Sequence, residues 1–198
     1  MRNLDTDDIL KSEYDLIEKG LLAFRLLKPG QIHLIAIITI PPNPLSMTSM
    51  KHTSQIMRPT GKYDLIMNDV NKLKNIIQQL NQLDLNKYPS IRIACDRFNR
   101  SYADKYSEDK LIDLCIGFEA LYCKGEKFSP MGSTIGLACS MLLGVDDKHR
   151  HEIYYVLEKC FSLRNDIVHG KTYDNALAAD LAPSLEKLLR MSILRLIP

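Results

Sequence analysis

From Pro89 onward the chain is patterned for helix nearly throughout, which excludes most architectures open to a sequence of this length. Pro89 has the fixed φ of a first helical turn, so a helix is predicted over 90–106. Ser107-Glu108-Asp109 opens the next, which carries Leu111, Leu114, Cys115, Phe118, Leu121 and Tyr122 at helical spacing before Gly125. A third covers 131–143 and stops at Gly144, a fourth begins after Asp146-Asp147, and a fifth covers 175–196. Helices with apolar stripes must bury those stripes on one another, so residues 89–198 read as one helical domain.

Residues 1–88 are mixed. Ile9, Leu10, Leu16, Ile17, Leu21, Phe24 and Leu27 mark a helix over 7–27, capped by Asp5, Thr6 or Asp7 and stopped by Lys28-Pro29-Gly30. The β-branched run over 32–40 reads as a strand that ends at Pro41-Pro42. Residues 45–61 lack a period and read as a long surface loop, 62–66 as a second short strand, and 69–85 as a helix. The expected fold is therefore mainly α, a helical bundle with an N-terminal α/β extension carrying at most a small sheet.

Charge and cysteine usage narrow the class. The net charge is only +2, from 26 basic and 24 acidic side chains, so any nucleic-acid binding must come from a local patch rather than a global field. Cys95, Cys115, Cys123, Cys139 and Cys160 lack the short paired spacing of a zinc or redox site, and read as buried thiols in a reducing cytosol. His149 and His151, two apart on a helix, do not face one ligand, so no metal site is expected there; no cofactor is expected either. The acidic, polar start is wrong for a signal peptide, and the longest apolar run, 32–42, is too short to cross a bilayer. A cytoplasmic protein without a membrane partner is the expectation.

The chemistry concentrates at Arg164-Asn165-Asp166-Ile167-Val168-His169-Gly170. A permanent cation, an amide and an imidazole fall within about one and a half helical turns. These are groups that cleave a phosphodiester: an acid or base that works near neutral pH, and a planar fork for the phosphate. At about 100° per residue, Ile153, Val156, Cys160, Leu163 and Ile167 form a core stripe. Glu158, Ser162, Asn165 and His169 run down the opposite side, with Leu157, Phe161, Arg164 and Val168 between. Two readings follow. Either Arg164 pairs with an acid and His169 merely ends the helix before Gly170, or the flank meets a second protomer and Arg164, Asn165 and His169 line a polar cleft at the seam.

Other residues have the same double character. Glu119 is either a partner for Arg164 or a solvated acid, and Glu158 either orients a cation or faces water. Arg92, Arg97, Arg100, Lys105 and Lys110, interleaved with Phe98, Tyr102 and Tyr106, either track an RNA backbone with stacking or are surface charges over core aromatics. Arg97, Arg100 and Lys171 are the cations singled out for substrate binding.

The Arg-Asn-x-x-x-His pattern resembles the signature of the HEPN superfamily. The wider match is similar to its Apea-like branch, through Asp113-Leu114-Cys115-Ile116-Gly117-Phe118-Glu119-Ala120-Leu121, then Leu142-Leu143-Gly144, then Leu163 through Gly170. Arg97-Phe98-Asn99-Arg100 and Glu108-Asp109-Lys110-Leu111 also look like that branch, and the resemblance covers roughly 90–198. It implies an up-and-down bundle that dimerises through the motif helices, and a metal-independent endoribonuclease. In active members the histidine is the general acid/base, the arginine holds the scissile phosphate and the polar residue after it positions them. By position these roles fall to His169, Arg164 and Asn165. Attack by the RNA 2′-hydroxyl would leave a cyclic phosphate and select RNA over DNA. Members occur in toxin–antitoxin and antiviral systems, which implies an antitoxin or defence partner; the alternative is a non-catalytic module that binds RNA, a nucleotide or a protein. Two departures stand out. Lys171 occupies the place of the tyrosine that antitoxin-modified members carry, with Tyr173 two residues on, and Asn165 replaces the serine common in the Apea-like branch.

Overall fold

The computed structural model describes residues 6–30, 32, 36–40, 49–52, 63–123 and 131–197. Among these the fold is mainly α, with seven helices holding 76% of the residues. The chain divides into two compact units, Met1–Ile77 and Gln78–Pro198, and the division falls inside a helix.

In the first unit, α1 spans Thr6–Leu27 and two short strands, β1 Ala36–Thr39 and β2 Ser49–His52, pair antiparallel with Ala36 opposite His52 and Thr39 opposite Ser49. β2 lies within the segment expected to be loop. Its Ser-Met-Lys-His sequence has little β-propensity, so pairing with β1 rather than pattern makes it a strand. The rest of that segment, 45–48 and 53–61, lies outside the described residues. Of the strand expected at 62–66, residue 62 lies outside the described residues and 63–66 is an irregular lead into α2, Met67–Gln82. Tertiary contacts hold it in place. The Tyr63 hydroxyl donates to the Phe24 carbonyl at 2.6 Å, and Lys28 donates to the Asp64 carbonyl. The Asp69 carboxylate accepts the Ile66 N–H at 3.2 Å, half of a capping box, and also takes the Lys28 ammonium. Together these hold its pKa below the usual carboxylate range, the Lys28 bond first and the Ile66 N–H next.

The second unit holds the end of α2 and α3 Pro89–Arg100, α4 Ser107–Tyr122, α5 Met131–Leu143, α6 Asp147–Val168 and α7 Asn175–Leu196. α4 is central and packs on α3, α5, α6 and α7. Phe98, Leu111, Leu114, Phe118, Ile135, Leu157, Leu185, Leu189 and Ile193 are fully buried. Each such side chain contributes about 1.5–3 kcal/mol relative to exposure. α3 stops at Arg100 rather than continuing to 106. Ser101 turns its hydroxyl onto the Phe98 carbonyl at 2.8 Å, and the next residue, Tyr102, is drawn inward to Glu186 of α7.

That attachment is ionic. Glu186, 8% exposed, accepts from Tyr102 at 2.7 Å, from Lys110 of α4 at 2.6 Å and from Arg190, which also donates to Tyr102 at 3.0 Å. Burial raises the Glu186 pKa, but Lys110, the Tyr102 hydroxyl and Arg190 together outweigh it and leave it lowered. Tyr102, desolvated beside that carboxylate, is pushed the other way. This network ties α3, α4 and α7 together with every charge paired, the condition under which buried ions are tolerated.

α5 and α6 are brought together by glycine. A Cβ at Gly132 would stand 2.9 Å from Phe161 Cβ, and one at Gly136 3.1 Å from the Tyr154 ring. The cysteines Cys95, Cys115, Cys139 and Cys160 are buried and Cys123 is half-buried. Burial pushes the Cys95 and Cys160 thiols up to about 12, far from a reactive thiolate. No described helix is long and apolar enough to cross a membrane.

Candidate active site

α6 is started by Asp146, whose carboxylate accepts the His149 N–H at 2.7 Å. Its buried residues are Ile153, Leu157, Cys160, Phe161 and Leu163. This corrects the stripe read from periodicity. Leu157 and Phe161 are core, whereas Val156 and Ile167 are half-buried. The cause is the close approach of α5, which turns the Phe161 side of the helix inward.

The helix ends in a Schellman motif. The Gly170 N–H donates to the Ile167 carbonyl at 3.1 Å and the Lys171 N–H to the Asp166 carbonyl at 2.9 Å. Gly170 sits at φ +66°, the left-handed conformation that glycine adopts at little cost. His169 is therefore the C-cap, its N–H closing the last helical bond to the Asn165 carbonyl at 3.0 Å, and its side chain is exposed. Asn165, one turn earlier, is exposed as well.

Arg164 stands at the seam of α4 and α6. Its Nη2 lies 3.2 Å from Glu119 Oε1, both side chains being 20% exposed, and its Nη1 donates to Asn165 Oδ1 at 3.2 Å. Arg164 Nε and Glu119 Oε1 are buried without a hydrogen bond among the described residues, so the pair is held by charge rather than by an aligned bond. Cys115 lies in the field of this pair. Burial raises its thiol first, with Cys160 and the Glu119 charge adding and the Arg164 charge opposing.

Thus the fold links Arg164 to Glu119 and Asn165 at the α4–α6 seam, and exposed His169 follows one helical turn beyond Asn165. Glu158 is exposed two turns up, with no ion pair among the described residues. Arg97 and Arg100 are placed elsewhere. Arg97 donates to Asp113 Oδ1 at 2.8 Å and Arg100 Nε lies 3.2 Å from Oδ2, bracing α3 against α4 on an acid that is itself buried. α3 and α6 do not touch. Of the two readings of the interleaved segment, core aromatics hold for two of the three: Phe98 and Tyr102 are buried, edge to face at 5.5 Å, and Lys110 is bound to Glu186. Only Tyr106, under the Lys105 ammonium, stays exposed. Lys171 pairs with Asp166 at 2.8 Å.

Two groups were not singled out from sequence. Asp166 meets Lys171 five residues on, a spacing that no helix brings together and that only the turn at Gly170 allows. Asp104, after α3, is pushed up to about 6 by burial and by the charges of Asp113 and Asp109. A cleft of about 340 Å³ lies between α5 and the start of α6, lined by Leu137, Met141, Arg150, His151 and Tyr154 among others. It is near the other end of a 22-residue helix from His169, about 22–28 Å away along the axis, and is no part of this site. No group of three His, Cys, Asp or Glu among the described residues is arranged to hold a metal ion. Comparison with protein-family models, with curated proteins and with solved structures finds no match to this chain.

Proposed function

We propose that the chain is a metal-independent endoribonuclease of the HEPN type, acting as a dimer whose two α6 ends form one cleft. The observation that carries this reading is the gathering of Arg164, Asn165 and His169 at one end of a single helix, the imidazole and amide both open to solvent. In the reaction the RNA 2′-oxygen bonds to the adjacent phosphorus as the bond to the 5′-oxygen breaks. His169 takes the 2′-hydroxyl proton or delivers a proton to the departing oxygen, and Arg164 neutralises charge on the phosphate oxygens. Asn165, hydrogen-bonded to Arg164, orients the guanidinium. The products are a 2′,3′-cyclic phosphate and a 5′-hydroxyl end. A toxin or antiviral effector is the setting this activity fits.

The test is RNA cleavage in EDTA by the wild type and by His169→Ala, with new 5′-hydroxyl ends counted by kinase labelling. The wild type cleaves and the variant is at least about a hundredfold slower, the usual range for loss of an acid–base group. Equal cleavage removes His169 from the chemistry. The ion pair between Arg164 and Glu119 favours a second reading, a HEPN-type module that binds RNA without cutting, because a charge-paired arginine is less available to a phosphate. That module binds RNA and yields no new ends.

A further inference from the structure

His169 is the C-cap of α6, its N–H still donating to the Asn165 carbonyl at 3.0 Å; helix ends fray at this position, yet an acid–base group must be held within a fraction of an ångström. Residues 166 and 171 are joined twice across this point. The Lys171 N–H donates to the Asp166 carbonyl at 2.9 Å, and the Lys171 ammonium donates to Asp166 Oδ1 at 2.8 Å. Between them Gly170 closes the inner bond to Ile167. The loop so closed contains residues 167–170 and therefore the imidazole-bearing residue itself. The usual Schellman motif adds an apolar contact between the residues flanking its turn, and here an ion pair takes that place.

We infer that Asp166 and Lys171 form a clasp that positions His169, so that Lys171 serves the imidazole rather than the RNA. This deepens the ribonuclease reading and rests on it. Lys171 has its ammonium engaged by a carboxylate of its own helix end, and the engagement spans the residue that does the chemistry. Asp166 is half-buried, which fixes one end of the clasp; Lys171 is exposed and supplies the movable end. A pair of this exposure is a modest constraint, so a modest kinetic effect follows.

Asp166→Asn and Lys171→Met are each expected to lower kcat about two- to fivefold with KM unchanged. The double variant is no slower than either single one, because the two residues act as one unit. Lys171→Arg restores the rate. Amide hydrogen exchange at His169, Gly170 and Lys171 is faster in both single variants, a readout that does not depend on RNA. A Lys171→Met variant that raises KM and flattens the salt dependence of binding, with effects that add to those of Asp166→Asn, makes Lys171 a phosphate contact and overturns the clasp. Unchanged exchange in both variants overturns it too. Faster exchange in the variants of a chain that cleaves no RNA leaves the clasp in place and removes the ribonuclease reading instead.

Discussion

Glu186→Ala tests the logic of the buried network most directly. The substitution removes the acceptor shared by Tyr102, Lys110 and Arg190. The two cations do not lose equally. The Lys110 side chain is 25% exposed and can turn to water, whereas that of Arg190 is 7% exposed and cannot. Breaking a buried pair by deleting one partner costs about 3–5 kcal/mol, and relief at Lys110 puts this site near the lower end, about 3 kcal/mol. For a unit of this size that lowers Tm by about 10–15 °C. Glu186→Gln keeps an acceptor for Tyr102 and is expected to fall between. pH provides a second axis. The folded carboxyl has a pKa below its ordinary 4.5, so its contribution is present above that value and is lost as pH falls through the folded pKa. Thermal melts at pH 7 and pH 3 should therefore show a wide gap between wild type and Glu186→Ala at pH 7 that narrows at pH 3. A variant within about 2 °C of wild type at pH 7, or a gap that widens in acid, refutes the reasoning.

Three further outcomes follow from named contacts. Gly136→Ala should destabilise by about 1–2 kcal/mol in a urea titration, since its Cβ would press on the Tyr154 ring at 3.1 Å; a gain matching alanine's better helix propensity would mean that α5 and α6 are not so tightly joined. Asp104 has a folded pKa raised to about 6, so stability is lost as pH rises from about 4 through 6; Asp104→Asn should raise Tm at pH 8 and not at pH 3.5, and equal shifts at both would contradict this. Arg164→Ala should cost less than about 2 kcal/mol, because Glu119 is partly open to water, while abolishing RNA cleavage; a large loss of Tm with cleavage intact would make Arg164 a structural residue.

Much of the second unit is written locally. Pro89, Asp146 and Gly170 start and stop helices through fixed φ, a capping carboxylate and a left-handed turn, and all three act within a few residues of themselves. The pairing of Glu119 with Arg164 was legible as one of two readings for Glu119, since both are charged residues set on largely apolar helices. The fate of Arg97, Arg100 and Lys110 was not. Each pairs with an acid at least 13 residues away along the chain, and a basic side chain in a one-dimensional pattern looks the same whether it meets Asp113, Glu186 or a phosphate.

The sequence by itself determined which segments are helical, though not where α3 ends, and which short segment carries an arginine, an amide and an imidazole together, because periodicity and capping are properties of neighbouring residues. Tertiary structure alone decided which way α6 faces, through the space left by Gly132 and Gly136. It also decided that 49–52 is a strand and 63–66 is not, and which cations are consumed by carboxylates. Those outcomes depend on steric fit and charge pairing between segments far apart in the chain, and such contacts exist only once the segments have packed.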